Sequence, residues 1–402
     1  MKKTELEKLF HQHGVFDATQ FIISARESLV NALNYKEIIN SINVKIHDEN
    51  EMWRQNFSLV PMDGNPNIKQ IVFDERPDFN IEIAGVSVSM FYLQNMFIKA
   101  FFQECRNALD ILAQAANAAC LAFKAKKIET VDFSMMNKVF HQQTYSTAFP
   151  DVCKWFESVY NSSEYGYLDN YCNRTKHTCS VQTKFELPVF GETSQSTILP
   201  FFRMNSNDTK QHTKQEVDAF ITQIYDFLSK AYSDFVSIIK QEITKETFIE
   251  NRYYTLSVYQ QKIKSDPNSD FSLAYLECDS EIDSMPDEIQ VLLVAEMHHS
   301  ENDVEIVAKN CPFNTIYIKD VASEEEHHYI GKYVAEDETG EDNLFRFRKY
   351  RKVVPTSDDY NYVIEAMRDE STKGIFYHKN PFIDIKTVSD DEEFLNRVAL
   401  PF

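Results

Sequence analysis

Glycine is scarce in this sequence, at 8 of 402 residues. No G-x-G-x-x-G run and no lysine-bearing phosphate loop occurs, which excludes the commonest nucleotide-binding sites. The cysteines also lack a pattern. There are seven, at 105, 120, 153, 172, 179, 278 and 311. None forms a C-x-x-C pair, so zinc ribbons and thioredoxin-type redox sites are excluded. Free thiols in a reducing cytoplasm are the expectation. No stretch of about 18 apolar residues is present, so no transmembrane helix and no membrane partner are expected. The first ten residues carry charges where a signal peptide needs an apolar run. Basic charge is in deficit: 41 Lys+Arg face 62 Asp+Glu, a net charge of −21. A phosphate ligand would therefore need a local basic patch.

Apolar residues are plentiful. They make up 43% of the chain, and Phe alone occurs 31 times. The length suits two or three domains with sizeable cores. The acidity is uneven, because residues 251–402 hold 31 Asp+Glu against 16 Lys+Arg, or −15 of the total.

Periodicity divides the chain into an N-terminal region of helices and a short hairpin (1–90), a helical region (91–248) and an acidic mixed α/β domain (253–402). The fold class is α+β. Short helices are expected over residues 1–48. β-prone pieces follow at Trp53–Val60, Ile68–Phe73 and Phe79–Ser89. The longest helix is expected from about Phe91 to Lys126. A polar stripe of Gln103, Asn107, Asp110, Gln114 and Asn117 along it suits the middle of a bundle. Helices follow over 128–165, with Pro150 opening one of them, and over about 165–178. A long amphipathic helix runs from about Lys214 to Glu246. Beyond residue 252, strands are expected at Tyr253–Tyr259, Ser272–Glu277, Ile289–Met297, Thr315–Ile318, Tyr329–Val334, Leu344–Val354 and Gly374–Tyr377. Helices are expected near Glu301–Ala308 and Asp359–Arg368.

The densest chemistry lies in Tyr171-Cys172-Asn173-Arg174-Thr175-Lys176-His177-Thr178. On a helix, Asp169, Asn173 and His177 share a face at i, i+4 and i+8, with Arg174 and Lys176 beside it. A base, two cations and an amide together suit an anion. An earlier helix carries Arg106 and Asp110 at i, i+4, able to present an oriented guanidinium. The bland alternative is a helix C-terminus favoured by its cations, with Asn173 as a buried hydrogen-bonding residue.

Two stretches together carry a resemblance: Arg106-Asn107-Ala108-Leu109-Asp110, and Asn173-Arg174-Thr175-Lys176-His177. Their order over residues 90–248 resembles HEPN-like proteins, whose bacterial members combine an R-x-x-L-D helix with an R-N-x-x-K-H helix. The resemblance implies a central HEPN-like up-and-down helical bundle. It further implies a homodimer acting on RNA, a metal-independent endoribonuclease of a defence or toxin type, including antiviral defence. No cofactor and no metal are implied. In that scheme His177 is the general acid/base, and Asn173, Arg174 and Lys176 complete the catalytic group. Arg106 and Asp110 sit at the substrate-binding position. A titrating imidazole and a fixed cation are what 2′-OH attack on a phosphate requires. Where the family pattern has its first arginine, this chain has Cys172. The alternative is a non-catalytic interaction protein whose acidic C-terminal domain docks a protein partner. Net charge alone also admits a DNA-mimic inhibitor.

Three further features carry charge or imidazoles. Phe345 to Lys352 is a basic-aromatic run that would place Arg346, Arg348, Tyr350 and Lys352 on one strand face. It reads either as an edge strand guarded by charge or as a nucleic-acid surface with Tyr350 stacking. His298-His299 and the run from Glu324 to His328 offer one imidazole per strand face, a poor metal set. The acidic runs Glu336–Glu338 and Asp390–Glu393 read as solvated charge.

Overall fold

The computed structural model describes residues 3–13, 15, 18–63, 65–73, 78–121, 126, 130–177, 179–186, 196–203, 211–245, 255–261, 273–278, 287–300, 303–310, 314–320, 329–336, 348–359, 372–378 and 391–402. The fold is α+β. Helices α1 (Lys3–Gln12) and α2 (Ala18–Gln55) precede two hairpins, β1 (Phe57–Met62) with β2 (Asn65–Phe73) and β3 (Asn80–Ile83) with β4 (Val86–Ser89). Next come α3 (Met90–Cys120), α4 (Phe133–Phe140), α5 (Gln143–Ala148), α6 (Pro150–Tyr160) and α7 (Ser163–His177). Short strands β5 (Lys184–Glu186), β6 (Ser196–Leu199), β7 (Phe202–Arg203), β8 (Gln211–His212) and β9 (Gln215–Glu216) lead into α8 (Val217–Ile243). The second region holds β10 (Thr255–Gln261), β11 (Leu273–Cys278), β12 (Glu288–Ser300), β13 (Asp303–Asn310), β14 (Thr315–Asp320), β15 (Tyr329–Ala335), β16 (Arg348–Val353) and β17 (Thr372–His378). A single turn, α9 (Glu392–Leu395), precedes the last residues.

Helix α3 is the axis of the helical body. It packs along α2 and also touches α4, α7 and α8. Its inward side, including Phe101, Phe102, Cys105, Leu109, Leu112 and Ala116, is buried. The phenylalanines pack as ring clusters. Phe133 contacts Trp155, Phe156 and Tyr165 with centroids 5.0–5.6 Å apart. The Trp155 indole donates to the Ala231 carbonyl at 3.0 Å, tying α6 to α8. Pro150 opens α6 as the sequence implies, since its missing N–H falls where a helix needs none. The β3–β4 turn has positive φ at both Ala84 and Gly85, the twist a two-residue hairpin needs.

The structure differs from the sequence-based expectation in several places. After the short α1, the N-terminal region is one long helix of 38 residues, α2, longer than α3 at 31. It shares a core with α3–α8, so nothing separates it from the bundle at residue 90. Trp53 ends α2 rather than starting a strand. The polar stripe on α3 is buried only at its far end. There Asn117 bonds the backbone N–H and C=O of Lys126, whereas Gln103 is exposed. The helix expected at Glu301–Ala308 is strand β13, antiparallel to β12. Val304, Ile306 and Ala308 alternate there, and backbone pairing with β12 outweighs local helix propensity. Most of the expected helix at Asp359–Arg368 lies outside the described residues.

Seven strands close on themselves in the second region, because β12 pairs with both β16 and β17. All neighbours are antiparallel except β11 and β14. β16 is paired on both sides, by β12 and β15, so it is no edge strand. Tyr350 is fully buried, which removes it as a stacking platform. Arg351 points the other way and pairs with Glu336 at 3.1 Å. Arg346 lies outside the described residues.

The chain then returns to the helical body. Leu395, Val398 and Phe402 join its core, so residues 391–402 pack there rather than ending the acidic domain. Arg26 of α2 holds them. It is 2% exposed, and no carboxylate pairs with it among the described residues. Its Nε donates to the Leu395 carbonyl at 2.7 Å. Nη1 donates to the carbonyls of Leu400 (2.7 Å) and Pro401 (3.4 Å). Nη2 donates to the Val398 carbonyl (3.0 Å) and Asn396 Oδ1 (3.4 Å). A guanidinium has five N–H donors, and all five are used. The Phe402 ring covers it at 3.9 Å. Replacing Arg26 by Met leaves several buried carbonyls without donors, at a cost of about 3 kcal/mol. The expected outcome is a melting point lowered by several degrees and proteolytic release of the last residues. An unchanged melting point and an intact tail would refute this clamp.

Candidate functional site

The sequence-designated residues sit on α3 and α7, which pack side by side. Arg106 is 12% exposed and is held between two carboxylates. It pairs with Asp110 on its own helix and with Asp169 of α7 at 3.3 Å. The Asp110 carboxylate also accepts the Phe133 backbone N–H at 2.8 Å, fixing the start of α4. Tyr165 lies under the guanidinium, 5.4 Å from its ring centre. Burial opposes the charge on Arg106, yet Asp110, Tyr165 and Asp169 outweigh it and leave its pKa raised. Burial also raises the carboxyl of Asp110, against the pull of Arg106 and the Phe133 N–H. This is an ionic knot joining three helices. The sequence shows Arg106 with Asp110 but not Asp169 as the second carboxylate, because that contact depends on how α7 docks.

Asp169 precedes His177 by eight residues, about 12 Å along a helix. The knot and the imidazole are therefore two turns apart. Lys176 and His177 are exposed at the C-terminal end of α7, and Asn173 is half-buried beside them. Arg174 points elsewhere. Five residues beyond Asp169, it is turned by about 140° around the helix. Its Nη1 donates to the Arg203 carbonyl, and its Nη2 lies 3.4 Å from Cys179 Sγ. It stands over the Phe202 ring at 5.9 Å. On that side Asn170 Nδ2 meets His212 Nε2 at 2.8 Å, and His212 stacks on Phe202. The structure thus brings Arg174 to Phe202, against which His212 also stacks. His212 lies 35 residues after His177, and no local spacing in the sequence marks it.

Cys172 occupies the position where the resemblance has an arginine. Its thiol faces α3 and donates to the Phe102 carbonyl at 3.5 Å. Burial pushes its pKa up to about 12, reinforced by Asp169 and Asp110 and opposed by Arg106. It is a packing thiol, not a nucleophile. His298 and His299 lie on β12, and residues 324–328 are outside the described residues. Among the described residues, no group of three or more His, Cys, Asp or Glu is placed to hold a metal, and no helix is long and apolar enough to cross a membrane.

Residues 253–389 match one family, described as Domain of unknown function (DUF8310). The match covers about a third of the chain and starts beyond α8, ending before α9. No curated protein and no solved structure matches the chain. The matched segment therefore coincides with the acidic β region, inserted between the last long helix and the tail that Arg26 clamps.

Two outcomes follow for this site. Arg106→Ala leaves Asp110 and Asp169 without their shared cation, a loss of about 3 kcal/mol at neutral pH. Asp110 keeps its burial and loses the charge that lowers its pKa, so its folded pKa rises further above the unfolded value of about 3.9. A raised carboxyl weakens the fold as pH climbs through that window and has no effect below it. The variant's deficit is therefore small below about pH 4 and full at pH 7, as paired denaturation curves will show. A deficit independent of pH would contradict the knot. Separately, Cys172 should resist iodoacetamide in the native chain at pH 8 while the exposed Cys179 reacts, read by peptide mass spectrometry. Equal labelling of both would be the contrary result.

Proposed function

We propose that this protein is a non-catalytic interaction protein: a helical body that mounts an acidic β domain, which docks a basic protein partner. The observation that carries this reading is the placement and charge of residues 253–389. They hold 27 Asp+Glu against 14 Lys+Arg, a net charge of −13. They leave the helical body at α8 and return to it at the tail clamped by Arg26. A charged module anchored at both ends suits electrostatic capture of a partner of opposite sign. The cations of the α3–α7 region have other work: Arg106 belongs to the ionic knot, and Arg174 holds the Arg203 carbonyl. The five described free thiols, Cys105, Cys120, Cys153, Cys172 and Cys179, fit a cytoplasmic setting within the same proposal.

The RNA-directed reading keeps one observation in its favour. The end of α7 carries Arg174, exposed Lys176 and exposed His177, with Arg174 on the Arg203 carbonyl and His212 beside Asn170 earlier on the helix. The two readings separate in one set of measurements on the full chain. Single-stranded RNA is expected to stay intact with the wild type, with His177→Ala and with His212→Ala. A lysine-rich protein probe is expected to bind with an affinity that falls steeply as salt rises. Binding should weaken when Glu324, Glu325 and Glu326 become Gln. RNA cleavage abolished by either histidine substitution would move the function to α7. Probe binding indifferent to the three glutamines would detach it from the acidic domain.

A further inference from the structure

A cleft of about 410 Å³ opens on another side of the helical body. One wall is α2, where Asn40, Asn43 and His47 succeed one another at i, i+3 and i+7. The facing wall is Asp218 in the first turn of α8. Thr197 of β6 and Phe185 of β5 complete it. Gln94 of α3 lies behind this lining, fully buried.

Gln94, Thr197, Asn43 and Asp218 hydrogen-bond among themselves. Gln94 Nε2 donates to Thr197 Oγ1 at 2.9 Å and to Asn43 Oδ1. Thr197 Oγ1 in turn donates to Asn43 Oδ1 at 3.4 Å. Asn43 Nδ2 donates to Asp218 Oδ1. Each of these donors points at an acceptor inside the cluster. Two acceptors, Gln94 Oε1 and Asn40 Oδ1, are buried with no hydrogen-bond partner. Buried oxygens in folded proteins are almost always bonded. Gln94 stands behind the lining, whereas Asn40 lines the cleft, where its unbonded oxygen can take a donor from outside. Among the described residues, the carboxylate of Asp218 lines the cleft and no Lys or Arg does. Asp218 is exposed as a residue. Partial burial of its carboxyl nevertheless raises its pKa, in part offset by the bond from Asn43, a shift that a cation bound alongside would reverse. The Phe185 ring, packed edge-on against Phe91 at 5.1 Å, adds an aromatic face that favours a cation further.

We propose that this cleft binds a small organic cation rich in N–H donors, an alkyl guanidine or amine, with Asp218 as counter-ion and Asn40 as hydrogen-bond acceptor. Its volume lies in the lower part of the range of small-molecule sites. The proposal is independent of the docking function, since it concerns the helical body and not residues 253–389.

The test is calorimetric titration of the full chain with agmatine and with spermidine at 150 mM salt, with succinate as an anionic control. Saturable binding of at least one cation and none of succinate is expected. Asp218→Asn keeps the acceptor for Asn43 and removes the charge, and should weaken binding at least tenfold. Asn40→Ala removes an oxygen that takes part in none of the cluster's hydrogen bonds. It should weaken binding several-fold while leaving the melting point unchanged. Absence of binding by both cations would overturn the proposal. So would binding that both substitutions leave untouched, which is what diffuse attraction to the acidic domain would produce.

Discussion

A buried guanidinium without a carboxylate beside it can exist only where oriented acceptors surround it. Arg26 meets that condition, and much of the architecture follows from it. The acceptors are backbone carbonyls and one amide from residues 395–401. Those residues are separated from α2 by almost the whole chain. The helical body therefore is complete only after the acidic domain has been traversed. That domain is thereby anchored at two points, and its family match, 253–389, ends just before the tail begins. Lys240 of α8 reinforces the closure by donating to the Phe402 carbonyl. The cost of desolvating an arginine is offset by its five hydrogen bonds and by the ring above it.

A second ionic feature, the Arg106–Asp110–Asp169 knot, decides how the α3–α7 region is to be understood. Cations near a histidine suggest phosphate chemistry, but chemistry requires them to converge on one anion. Here the two arginines diverge. Arg106 is saturated by carboxylates and by the stacking of Tyr165, and Arg174 is turned towards β7. Cys172, between them in sequence, packs on the backbone of α3. The same residue types that resemble an RNA-directed motif thus serve to dock α7 on α3. The cleft beside α2 shows the opposite situation. Its polar groups converge, the amides of Gln94 and Asn43 donate within the cluster, and the Asn40 oxygen is left unbonded.

The legibility of these features differed by kind. Alternation marked seven of the C-terminal strands, and 3.6-residue periodicity marked α3 and α8, because both patterns record one buried face. Residues 301–308 read locally as a helix because Glu301, Asp303 and Glu305 obscure a strand whose pairing to β12 lies outside the local window. Tyr350 looked available because strand alternation does not say which face is the inner one. Arg26 sits beside Glu27 in an otherwise mostly apolar stretch of α2 between Ile22 and Leu29. An adjacent pair of opposite charges is an ordinary feature of a helix surface, and the partners of Arg26 lie some 370 residues away. Asn40, Asn43 and Gln94 carried even less signal, since single amides on amphipathic helices are ordinary.

By itself, then, the sequence determined the fold class, the positions of most helices and strands, the change of character near residue 250 and the concentration of acid beyond it. These depend on local periodicity and on composition, which are properties of short windows. The tertiary structure decided what each charged group is for. It placed Arg106 in a knot, Arg174 on a carbonyl, Arg26 at the closure of the body and Asp218 on the wall of a cleft. The physical reason is that the role of a charge is set by its nearest partners and by its burial. Both are chosen by contacts between residues far apart in the chain.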